Sequence, residues 1–359
     1  MADKSEVHSE SHISSRRRLA AAIAVVAAVV LLLRFWPAFT FFDGLELQTL
    51  DWRFVHRGPR PPDSRIVIIS VDEGSIVEVG RWPWPRRVFA DVIRTLSDAG
   101  ADAIIFDIFF SDPDESDDGA RSDRQLIAAT RRAGMVYHAA FGHAPGAEQG
   151  AGELGVLAGA AWTESRIAEP RGLDAPADIF EIGSVTPPLP GLVEAARGVG
   201  FVNVVDSGDS VYRHIFPAVR HGDYLYPSLS LSVAAGILGV RPDEVVVRPG
   251  ESVALGRKRS IPIDRMGRML IDFAGGAGTY PYVPVRDVLT MGEKSLEAAR
   301  DRFEGRIVFV AVTAPGLYDL RASPYDAVFY GVETQANALA NILDDNFLLS
   351  PPRAERICD

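Results

Sequence analysis

The sequence predicts an α/β fold: a mostly parallel, doubly wound sheet with an inserted irregular segment, preceded by one N-terminal transmembrane helix. Three observations predict it. The runs Ile66–Val71, Ala103–Ile108 and Arg306–Val312 are apolar at all but one position each, as in strands covered on both faces. These runs alternate with segments of helical period, the pattern of a parallel sheet with crossover helices. An uninterrupted apolar stretch, Leu19–Leu33, follows directly on Arg16, Arg17 and Arg18.

The apolar stretch extends through Arg34 and Phe35 to Trp36, about 27 Å of helix at 1.5 Å per residue, close to a hydrocarbon core. Arg34 can snorkel to the headgroups, and Phe35 and Trp36 suit the interface. The arginine triplet sets residues 1–18 as a cytoplasmic tail, 19–42 as the membrane anchor and 43–350 as an extracytoplasmic domain. A cleaved signal peptide would end in a small-x-small site, and Arg-Phe-Trp-Pro stands there instead. A buried soluble helix is not normally apolar on every face.

After the Pro-rich turn Pro59–Pro62 comes the strand Ile66–Val71, ending in Asp72-Glu73-Gly74. Pro85 opens a helix that carries Val88, Phe89, Val92, Ile93, Leu96 and Ala99 on one face and stops at Gly100. The strand 103–108, an acidic loop, a helix over about 121–132 and a strand over 135–140 complete a β-α-β-α-β run. Residues 141–198, rich in Gly, Ala and Pro, read as the irregular insertion. Strands are expected at 200–205, 213–220, 269–273 and 306–312, and helices at 227–238, 285–299 and 331–343. The last helix buries Val332, Ala336, Leu339, Ala340 and Leu343.

The 48 acidic against 37 basic side chains leave an acidic chain, which disfavours nucleic acid because counterion-release binding needs clustered cations. A single cysteine, Cys358, removes intrachain disulfides and Cys-based zinc sites. The histidines show no i,i+4 pair on a convincing helix, and no Gly-x-Ser-x-Gly elbow follows a strand. Asp112, Asp114 and Asp117 lack the spacing and closing Glu of an EF-hand and read as an acidic surface loop. Gly275-Gly276-Ala277-Gly278 follows a strand as a phosphate cradle would, but a tight turn explains it equally well.

Asp72 and Asp107 each end a strand, at the carboxyl edge where open α/β sheets bind ligands. They read either as a cleft carboxylate pair or as caps of the following turns. Trp82-Pro83-Trp84-Pro85, flanked by Arg81 and Arg86, reads either as an aromatic and cationic platform or as a plug whose arginines pair with Asp72 or Asp107.

The order Leu50-Asp51-Trp52-Arg53-Phe54, Ile66–Glu73, Gly80–Arg86 and Gly100–Asp107, followed by Val312–Arg321 and Gly331–Asn337, resembles the CHASE domain, type two. The resemblance covers about residues 43–350 and implies an extracytoplasmic sensor of a membrane-bound receptor. Its output would be a nucleotide cyclase or a protein kinase absent from this chain, with 351–359 opening the membrane and output region. It implies no cofactor or metal, and a homodimer with the membrane and an unidentified extracytoplasmic ligand as partners. The ligand candidates are Asp72, Arg81, Trp82, Trp84, Arg86, Asp107, Asp319 and Arg321, with Glu333 and Asn337 as transmission candidates on the last helix. Gln335 stands where the family leads one to expect a His. The alternatives are an extracytoplasmic metal-dependent hydrolase using Asp72 and Asp107, and a dimerising scaffold that senses nothing.

Overall fold

A computed structural model describes residues 23–27, 41–146, 166–167, 179–205, 209–221, 224–314, 316 and 320–349. The chain divides into two units, Met1–Arg53 and Phe54–Asp359. Helix α1, Phe41–Arg57, begins in the first and ends in the second. The sequence gives no periodic signal for α1, and it is the one long element unforeseen at this end of the chain. The expected membrane span over 19–42 lies outside the described residues apart from 23–27 and 41–42. No helix among the described residues is long and apolar enough to cross a membrane.

The second unit is built on a seven-stranded, mostly parallel sheet. Its strands are β1 (Ile66–Val71), β2 (Ala103–Asp107), β3 (Val136–His143), β4 (Ser184–Thr186), β5 (Gly198–Phe201), β6 (Tyr282–Pro284) and β7 (Ile307–Val312). The order is β6-β1-β7-β2-β3-β5, all parallel, with β4 antiparallel against the end of β3. Thus β7, last in the chain, lies between β1 and β2, with Ile66 opposite Ile307 and Ile307 opposite Ala103. Every residue of β1 is buried, which is the reason its sequence shows no alternation.

Helices cover both faces. Val67, Ile69, Val71, Ile104, Phe106, Val308 and Val310 pack against α2 (Glu73–Val79), α3 (Arg86–Asp98), α4 (Gly119–Ala133), α5 (Pro190–Ala195), α7 (Val285–Lys294) and α8 (Leu296–Phe303). The opposite face carries α6 (Leu229–Leu238) and α9 (Gly331–Asp344), packed on one another. In α3, Phe89, Val92, Ile93 and Leu96 are all buried, and Gly100 ends the turn at φ 84°, a conformation that favours glycine.

Four expectations are revised. The strand expected over 200–205 is two, Gly198–Phe201 in the central sheet and Val204–Val205 in a separate one. The helix expected over 285–299 is two, because Ser295 is extended and its Oγ accepts from Ala298 N at 3.2 Å, capping α8 afresh. The strand expected over 213–220 splits into His214–Ile215 and Ala218–His221, and that over 269–273 shortens to Met269–Leu270. A three-stranded antiparallel meander, Val245–Arg248, Ser252–Leu255 and Arg259–Pro262, occupies a stretch with no expected element. Within the expected irregular insertion, 147–165 and 168–178 lie outside the described residues.

Candidate functional site

At the carboxyl edge, Asp72 caps α2: its Oδ1 accepts from Ser75 N at 2.7 Å. The same carboxylate lies 3.3 Å from Nη1 of Arg286, in the first turn of α7, and Arg286 also faces Glu78 and Asp287 at 3.8 Å. Asp107 ends β2 half-buried and is likewise engaged within the chain. Because β7 separates β1 from β2, the backbones of Asp72 and Asp107 stand two strand spacings apart, roughly 10 Å. No group of three or more His, Cys, Asp or Glu arranged for a metal occurs among the described residues.

The tryptophans turn inward. Trp84 is 2% exposed, and its indole N–H donates to Gly80 O at 2.7 Å. Its ring lies 5.5 Å from that of Trp82 and 6.0 Å from Phe89, inside the core beneath α3. Trp82 is half-buried and its bond to Pro83 is cis. Arg81 is exposed. Arg86 pairs with neither Asp72 nor Asp107: its guanidinium lies over Phe110 at 4.9 Å and within 3.3 Å of Asp112 O.

The acidic loop is an internal tie. Asp114 accepts from Arg86 N at 2.7 Å and Ser116 N at 2.9 Å. Partial burial raises its pKa, but hydrogen bonds from Ser122, Ser116 and Arg86 outweigh that and hold it at about 2. Arg321 lies over the Tyr212 ring at 4.8 Å, and Asp319 lies outside the described residues. The candidates at this edge therefore divide among separate local networks.

A different constellation runs along α9. Glu333, Asn337 and Asn341 recur every fourth residue and share one face. That face hydrogen-bonds the extended segment 272–282. Asn341 Oδ1 accepts from Asp272 N at 2.8 Å and its Nδ2 donates to Asp272 O at 3.1 Å. Asn337 Oδ1 accepts from Ala274 N at 2.8 Å. Glu333 Oε1 accepts from Gly278 N and from Tyr282 OH, both at 2.7 Å. Burial raises the Glu333 pKa despite these bonds, and burial likewise raises Tyr280 and Tyr282.

The glycine-rich turn 275–278 is thereby explained. Ala277 N donates to Asp326 Oδ2 at 2.7 Å and Gly278 N to Glu333, so these two amides serve the protein's own carboxylates. A Cβ on Gly276 would fall 2.1 Å from Asp326 Oδ2, and Gly278 has φ 80°. Gln335 faces α6, its Oε1 accepting from Ser230 Oγ at 2.7 Å.

At the amino edge of the sheet these elements converge on Asp272, 2% exposed between Ile271 and Phe273. Its carboxylate takes Arg57, at the end of α1, at 2.5 Å and Arg60 at 2.6 Å. It also takes Asn346, just beyond α9, at 3.0 Å. Arg57 further donates to Phe273 O at 2.6 Å, and Arg60 N to Ala274 O at 2.6 Å. A cavity of about 400 Å³ opens here, lined by Arg60, Asp272, Tyr280, Asn337, Asn341 and Asn346 among others. Beside it, Arg65 joins Asp63 and Asp344 at 2.6 and 2.7 Å.

A family model described as the CHASE2 domain matches residues 24–357. The chain belongs to the CHASE2 domain family. No curated protein and no solved structure matches it. CHASE2 is a family of extracytoplasmic sensory domains, and the match takes in the motifs from Leu50 to Asn337.

In this CHASE2 domain the sequence pointed to Glu333 and Asn337 but not to Asn341, Asp272, Arg57, Arg60 or Asn346. A signal was present: Glu333, Asn337 and Asn341, one every fourth position on one helix, form a buried polar stripe that needs a partner. The partner itself, 51 to 69 residues upstream, carried no local mark.

Proposed function

We propose that this CHASE2 domain is the sensory input of a membrane-bound signalling receptor, with its body outside the cytoplasm and its output in a nucleotide cyclase or protein kinase. The observation that carries the reading is the junction at Asp272. One buried carboxylate there joins the segment entering the domain, through Arg57 and Arg60, to the segment leaving it, through Asn346. Arg57 closes the helix that follows the apolar run, and Asn346 follows the helix that leads to the C-terminal end. A rearrangement of α9 that alters its contact with 272–282 therefore reaches both strands of chain at once. A stimulus acts on such a junction only by favouring one arrangement over the other.

The hydrolase reading finds no comparable support, since Asp72 is committed to a helix cap and to Arg286. The test is topology in the intact chain. With Cys358 replaced by Ser, cysteine at Val77, which is 81% exposed, should react with a membrane-impermeant maleimide on intact cells. Labelling only after lysis would overturn the reading.

A further inference from the structure

We propose that Glu333 is a proton-binding site, neutral while α9 is docked, and that the extracytoplasmic proton is the stimulus this domain reads. The inference rests on the sensory reading above and adds its stimulus.

Glu333 is 0% exposed in the first turn of α9. Gly278 N and Tyr282 OH both donate to Oε1 and the Thr279 amide also faces the carboxylate, while Oε2 is buried with no partner among the described residues. An ionised carboxylate accepts on both oxygens and, when buried, draws donors or a cation to each. With no partner on Oε2 either form leaves one oxygen unpaired, and an unpaired neutral hydroxyl costs far less than an unpaired charge, which favours the neutral acid with Oε1 as the carbonyl. No ion pair to Glu333 occurs among the described residues, so a charge there would have no counter-ion.

The groups facing it sharpen the case. From the segment 275–282 come Tyr280 and Tyr282, neither a cation, and from the preceding loop comes Asp326, a like charge. Tyr330 packs on Tyr282 at 5.9 Å. Arg321 approaches the start of α9, its Nε 3.6 Å from where a Cβ on Gly331 would lie, but its guanidinium is over Tyr212. Loss of the proton would leave an uncompensated charge between α9 and 275–282, and separation of the two lets water reach Oε2. The sign follows from burial: the folded chain holds this proton more tightly than the unfolded chain. Stability from the site is complete below the ordinary carboxyl range and is lost as pH rises through the folded value.

The test is infrared difference spectroscopy across a pH titration of the full chain in lipid nanodiscs, with amide exchange of 331–344 followed in parallel. Above the ordinary carboxyl range the wild type should still show a protonated-carboxyl band that Glu333→Gln lacks. That band should vanish as pH rises through the folded value. Once divided by the base-catalysed intrinsic rate, opening of α9 should rise by up to about tenfold per pH unit between the ordinary carboxyl range and the folded value, then level off. In Glu333→Gln, opening corrected in this way should not depend on pH. A Glu333 band lost within the ordinary carboxyl range, or the same pH dependence of corrected opening in Glu333→Gln, overturns the proposal. Should Glu333→Gln fail to fold, Tyr282→Phe serves: losing a donor that favours the charged form should move the midpoint upward, and an unmoved midpoint overturns it. Neither readout needs an output module. A chain labelled from outside but carrying an ionised Glu333 would refute the proton site and leave the sensory reading standing.

Discussion

Replacing Asp272 by Asn is the sharpest probe of the amino-edge junction. The substitution keeps the side-chain shape and leaves the backbone pairing with Asn341 intact, since that pairing uses only Asp272 N and O. What it removes is the charge. Both carboxylate oxygens are acceptors, Oδ1 to Arg57 at 2.5 Å and Oδ2 to Arg60 at 2.6 Å and Asn346 at 3.0 Å. An Asn amide must turn its NH₂ toward a donor whichever way it lies. Removing one partner of a buried ion pair costs on the order of 3–5 kcal/mol. The two arginines here are about one-third exposed and can regain water, so the cost falls below that range, about 2–3 kcal/mol. For a domain of this size that is roughly 4–6 °C in Tm. Thermal unfolding of the full chain at neutral pH reads it, and the double-mutant cycle with Arg57→Met isolates the pair. A loss below about 0.5 kcal/mol, or strict additivity in the cycle, would refute the reasoning.

Two further outcomes follow from the opposite edge. Asp114 is held at about 2 against a reference of 3.8. Its contribution, about 1 kcal/mol after solvent screening, is present above the unfolded value and is lost as pH falls toward the folded one. Between pH 5 and 2 the wild type should therefore lose more stability than Asp114→Asn, and parallel curves would contradict this. Trp84→Ala should cost about 3–5 kcal/mol in urea unfolding, because it empties a site 2% exposed and abandons the bond to Gly80 O. A near-neutral result would mean that the indole is a surface platform after all.

The central strands were legible because burial on both faces writes an unbroken apolar run, as in Ile66–Val71 and Ile307–Val312. Helix α3 was legible through its 3.6-residue period and its glycine stop at Gly100. The strand order was not, because nothing local says that β7 enters between β1 and β2. The meander over 245–262 was missed because its strands are four residues long and half-exposed, too short for a clear period. The polar residues of α9 follow the same division. Glu333 and Asn337 lie within one helix, in the run that carries the family resemblance, whereas Arg57 and Asp272 meet across 215 residues of chain. Asp72 followed a strand as a ligand carboxylate would, and Arg286, 214 residues away, gave no warning that it would sit opposite.

The claim on which the account turns is that the entering and leaving segments are joined through Asp272. Amide exchange of the intact chain, wild type against Asp272→Asn, measures it at residues 54–57 and 331–344 in one experiment. The account predicts that both segments lose protection together in the variant while β1 and β7 keep theirs. Unchanged protection of 331–344, with loss confined to 54–57, would contradict it.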